Sequence, residues 1–235
     1  MQLQVGLELN FENRILAWAL DYPGCFSYGE TEEEALLRIP KAFVAYQHWV
    51  DLKAGNRSWL QNVKDFDIRL VETFKVYDIN DQFEVIEKGA YSVNAWFQSD
   101  WLPLTEQEVE HALMLVDWSR QDLLSLLDTI PEDLKEKKYP DERWNINGIV
   151  RHIASAEWWY LDRLGLTNLT KHDLPKNTFD RLDLVRKQVI DAIPGQVGIQ
   201  LVYGKDGEFW SPRKLIRRIL WHEKDHIQHI YQLIS

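Results

Sequence analysis

The spacing of apolar positions divides the chain near residue 100. Before it, residues 3–11, 14–20, 66–79 and 83–97 are rich in Val, Ile, Phe, Tyr and Leu and read as β-segments. One helix interrupts them. It opens with Thr31-Glu32-Glu33-Glu34, a capping box in which Thr31 caps and Glu34 reaches back. Ala35, Ile39, Ala42, Phe43, Tyr46 and Val50 then recur at helical spacing, and Pro40 inside the pattern predicts a kink.

After residue 100 the period is helical. Thr105-Glu106-Gln107-Glu108 is a second capping box, followed by a stripe from Val109 through Val116 to Leu127 that Ile130-Pro131 ends. A second helix over 145–164 turns Ile149, Ile153, Ala156, Tyr160 and Leu164 inward and stops at Gly165. A third covers 179–193, and a fourth starts at Ser211-Pro212. Gly204-Lys205-Asp206-Gly207 reads as a short hairpin inserted between the last two. The pattern predicts an α+β chain: a mixed domain over 1–100, then an antiparallel four-helix bundle over 105–235, with the boundary at 98–104.

Composition narrows the function classes. The formal net charge is −10, and residues 1–104 and 105–235 are both negative, at −7 and −3. Neither part offers the basic footprint that phosphate backbones demand, so nucleic acid is not expected as a partner. The longest apolar run, Ile15 to Leu20, is far short of a membrane span, and the first ten residues carry no secretory pattern. The single cysteine, Cys25, fits a reducing compartment, so the expected location is cytoplasmic.

The strongest chemical signal is His222-Glu223-Lys224-Asp225-His226 with His229 following. On a helix these three histidines share an arc of about 60° that continues the apolar stripe, which turns them into the bundle. Neutral imidazoles there suit a divalent metal; the plainer alternative is a hydrogen-bonded histidine cluster. The zinc-protease reading of H-E-x-x-H fails, because His229 is the only downstream candidate for a third ligand. A third ligand must come from upstream, and His152, beside the inward face of the second helix, is the candidate. His111 lies off its helix's apolar stripe and His48 and His172 read as surface residues. Glu157, five positions after His152, reads as a surface or bundle-edge carboxylate. No catalytic triad, P-loop or G-x-G-x-x-G is present, and no catalytic residue is assigned.

With these residues in place, 105–235 resembles the DinB-like superfamily of four-helix bundles. The resemblance implies one divalent metal held by His152 on the second helix and His222 and His226 on the fourth; Trp144 and Glu223 also fit, and His229 departs from the family's usual Gln. In the N-terminal part Asp21, Pro23, Gly24, Cys25, Gly29, Thr31, Glu34 and Ala35 resemble the pattern of the HicB-like domain, a small β-β-α-β fold. The two resemblances imply different functions. One is a metal-dependent small-molecule enzyme, a thiol-dependent transferase that activates a small thiol on zinc, nickel or iron. The other is a non-catalytic, antitoxin-like binding module with a protein partner or a homodimeric assembly, in which any metal is structural.

Overall fold

The structure is a computed structural model that describes residues 1–89 and 91–235. It separates into two compact units, one of residues 1–102 with 204–210, the other of 103–203 with 211–235.

In the first unit, strands β1 (Gln2–Phe11), β2 (Arg14–Ala19), β3 (Phe26–Gly29) and β4 (Asp67–Lys75) form a sheet in the order β3-β2-β1-β4. β1 runs antiparallel to β2 and parallel to β4. Glu12 and Asn13 turn the first hairpin with φ of 49° and 61°, the conformation that matches strand twist in a two-residue turn. Helix α1 (Glu32–Ala54) lies against β2 and β3 and buries Ile39, Phe43, Tyr46 and Val50. Thr31 caps it, accepting from Glu34 N at 3.2 Å, and Pro40 leaves it one continuous helix. At Gly29 the chain passes so close to α1 that a Cβ would lie 2.3 Å from Ala35 N.

The expected β-β-α-β order needs correction here. Phe26–Gly29 adds a third strand before the helix, giving β-β-β-α-β. This strand follows the tight turn at Pro23-Gly24-Cys25 so closely that its alternation is too short to read as a separate element. The stretch 66–79 also splits, at Val76, because β4 pairs with β1 whereas β5 (Tyr77–Ile79) pairs with β6 (Val85–Ile86) and β7 (Tyr91–Val93) in a second small sheet. β1 is buried on both faces. Leu3, Val5 and Leu7 are fully buried on one, while Phe97 lies over Gly6 on the other, where a Cβ would meet its ring at 2.7 Å. Glu8 shares that face and is satisfied by Trp18 Nε1 at 3.0 Å and Ala95 N at 2.7 Å.

The second unit contains α2 (Glu106–Thr129), the short α3 (Glu132–Glu136), α4 (Ile146–Arg163), α5 (Thr178–Ala192) and α6 (Pro212–Ile234). Each long helix starts at a side chain that accepts from one or two of its free N–H groups: Thr105, Asn145, Asn177 and Ser211. Their apolar faces share one core, to which α2 gives Leu123 and Leu127, α4 Ile149 and Ile153, α5 Leu182 and α6 Ile230. No helix among the described residues is long and apolar enough to cross a membrane.

The hairpin of β8 (Tyr203–Lys205) and β9 (Glu208–Trp210) turns at Asp206-Gly207, both at positive φ. The pattern along the chain places it within the helical part. The structure instead groups 204–210 with the first unit, where Glu208 is buried and accepts a hydrogen bond from the Tyr91 hydroxyl.

Candidate metal centre

His222 and His226 stand one turn apart on α6, so their rings lie on one face, and His152 reaches them from α4. Nε2 of His222 lies 3.1 Å from Nε2 of His152 and 3.2 Å from Nε2 of His226. Among the described residues these are the only three His, Cys, Asp or Glu side chains that converge tightly enough to hold one ion, with all ligand atoms within 4.8 Å of one another. His222 is buried, His152 and His226 half-buried.

The surroundings of His222 and His226 keep those two rings neutral. Burial pushes His222 well below the usual histidine range, and the neighbouring His226, His152 and Arg218 push it further. Burial also takes His226 down to about 3, with His152 and His229 adding to the shift. Trp144 stacks on His152 at 4.6 Å between centroids and 24° between planes. Gly148 makes room for it, since a Cβ there would sit 2.8 Å from Trp144 Cβ.

The donor set fits a divalent ion. For metal–nitrogen bonds of about 2.0–2.1 Å, ligand atoms lie about 3.3–3.4 Å apart on a tetrahedron and about 2.8–3.0 Å apart on an octahedron. The two measured separations fall between these values. A purely hydrogen-bonded cluster accounts for them less well. A neutral ring nitrogen carries one lone pair or one hydrogen, so His222 Nε2 cannot form two well-directed hydrogen bonds. The Nδ1 atoms of His222 and His226 meet no hydrogen-bond partner among the described residues.

Next to the histidines lies a layer of buried charge, of which only Glu157 was expected at the surface or bundle edge. Glu157 is 1% exposed, not a surface carboxylate, because α4 buries more than the face that carries His152. Arg120 of α2 donates to Glu223 of α6 at 2.7 Å and to Glu157 at 3.1 Å. Arg186 of α5 also holds both carboxylates, contacting Glu157 and lying 3.0 Å from Glu223. The two arginines further donate to the Leu182 and Val116 carbonyls. Glu157 stands four residues after Ile153 and three before Tyr160, so the apolar stripe itself marked it as inward. Arg120, four after Val116, and Arg186, four after Leu182, carry the same signal.

His229 stays outside the cluster and pairs with Glu142 at 3.1 Å. His48 and His172 are exposed, as their sequence context implies, whereas His111, off its helix's apolar stripe, is half-buried. Cys25 is buried.

Comparison with curated proteins and with solved structures returned no match. Residues 115–230, which span the histidine cluster and the charged layer, match the model of the DinB superfamily, and this part of the chain is similar to that family.

Proposed function

We propose that His152, His222 and His226 hold one divalent metal, and that the second unit is a metal-dependent, DinB-like four-helix bundle acting on a small molecule. The observation that carries this reading is the double engagement of His222 Nε2, 3.1 and 3.2 Å from two other ring nitrogens, which suits three lone pairs aimed at one cation. Three imidazoles leave a metal at least one open position, as a catalytic site needs. When bound, the metal would lower the pKa of a thiol or water held there. The chain's own contribution is to present three neutral donors, to orient His152 by stacking it on Trp144, and to shield the buried side at His222 from water.

A small thiol is the substrate class we favour, with transfer of the whole thiol as the reaction: its thiolate sulfur bonds to an electrophilic acceptor, the acceptor's leaving group departs and the thiol proton is released to solvent. We read the first unit as HicB-like and as a surface for a protein partner. The left-handed Gly24, at φ 85°, and the tight approach at Gly29 support that pattern. The test is elemental analysis of protein purified without chelator, then thiol-transfer assays on protein loaded with zinc, nickel or iron. Near-stoichiometric metal is expected, falling sharply in His152→Ala, His222→Ala and His226→Ala and less in His229→Ala. A wild-type protein that takes up none of these metals sinks the reading; full occupancy in His152→Ala removes α4 from it.

A further inference from the structure

The histidines come from only two of the four long helices, α4 and α6, and the same two supply the buried carboxylates. Glu157 follows His152 by five residues, and Glu223 is the next residue after His222. The helices that give no histidine to the cluster, α2 and α5, each supply one buried arginine, and each arginine touches both carboxylates. Arg120 and Arg186 therefore cross-link α4 to α6 beside the histidine positions. The quartet is balanced at two positive and two negative charges, with exposures of 1% for Glu157, 0% for Glu223, 6% for Arg120 and 5% for Arg186.

An apolar contact between α4 and α6 tolerates sliding, because hydrophobic attraction has no preferred direction. Forked guanidinium–carboxylate pairs do not tolerate it, since a shift of about 1 Å takes donor and acceptor out of hydrogen-bond range. We propose that the Arg120–Glu157–Arg186–Glu223 quartet is the positioning device of the histidine cluster, fixing the register of α4 against α6 so that His152 meets His222 and His226. This rests on the metal reading above. The four residues touch neither metal nor substrate and act only through the histidines.

The experiment uses full-length protein with cobalt(II) as the probe, because its visible spectrum reports coordination as well as occupancy. Glu157→Gln removes one charge from the quartet, and the double variant Glu157→Gln/Arg186→Met removes one of each sign, leaving the Arg120–Glu223 pair intact. Each variant that retains the wild-type circular dichroism spectrum is expected to bind cobalt about 10- to 100-fold more weakly, with an altered visible spectrum. Should Glu157→Gln not fold, the charge-balanced double variant decides. A folded variant with wild-type affinity and spectrum overturns the positioning role while leaving the metal site standing. Wild-type protein that binds no cobalt overturns both.

Discussion

Arg186→Met keeps the length of the side chain and deletes its guanidinium, a direct probe of the buried charges. The wild-type arginine contacts Glu157, lies 3.0 Å from Glu223 and donates to the Val116 carbonyl. Without it Arg120 alone faces two carboxylates, at 2.7 and 3.1 Å. Removing one partner from a buried ionic network costs about 3–5 kcal/mol, since the remaining charge has lost its solvation and gained nothing. For a chain of this size each kcal/mol moves the melting temperature by about 2–4 °C, so the variant should melt roughly 6–20 °C lower at pH 7. The pH dependence supplies a sharper signature. In the wild type, burial pushes Glu223 up, but Arg186 and Arg120 outweigh it and hold the carboxyl below its ordinary value. That contribution is present above the unfolded carboxyl pKa of about 4.3 and is lost as pH falls through the lower folded value. Without Arg186, burial dominates and one carboxyl is raised instead; its protonated form stabilises the folded state at low pH and loses that effect as pH rises through the raised value. The deficit of the variant should therefore narrow between pH 7 and pH 5. Calorimetric melting of both proteins across that range tests this, and a melting temperature within about 2 °C of wild type at pH 7, or a deficit that widens in acid, refutes the reasoning.

Gly148→Ala should displace Trp144 from His152, because the new Cβ would lie 2.8 Å from Trp144 Cβ; a cost of about 1–3 kcal/mol and a changed near-ultraviolet circular dichroism spectrum are expected. Gly29→Ala pushes a Cβ against backbone, 2.3 Å from Ala35 N, and should destabilise the first unit by about 1–3 kcal/mol in a denaturant titration. Metal-free protein should lose stability as pH falls below the unfolded histidine value of about 6.5, since His226 resists protonation down to about 3 and His222 is also held low. Urea midpoints at pH 5 and pH 7.5 that coincide in the metal-free protein would count against neutral, buried rings.

The helices were legible because each combines a cap residue with a stripe at a fixed period, so Thr105, Asn145 and Ser211 mark starts that packing then confirms. The histidine triad was legible for a similar reason: two members share a turn of α6, and only one other histidine lies beside an inward helical face. The charged quartet was missed because Glu157 was measured against His152 rather than against Ile153 and Tyr160, the stripe it belongs to. Its arginine partners are distant in sequence, and no local period announces a pairing across 62 or 103 residues between Arg120 and its Leu182 and Glu223 acceptors. The strand Phe26–Gly29 was hidden by its brevity. The allegiance of the 204–210 hairpin was hidden because burial of Glu208 and the approach of Gly207 to Ile79 depend on residues more than a hundred positions earlier.

That hairpin has a consequence for how the chain is made. A domain built from one continuous stretch folds as it leaves the ribosome, N-terminal part first. Here residues 1–102 emerge without 204–210, and the Tyr91 hydroxyl waits for Glu208 while α2, α4 and α5 are being synthesised. The second unit waits longer still, because α6 brings His222, His226 and Glu223 after the hairpin has passed. Neither unit is complete before residue 210 has been added. The nascent chain thus carries unfinished surfaces while residues 103–203 are added, and the step that closes the first unit immediately precedes the one that assembles the histidine cluster.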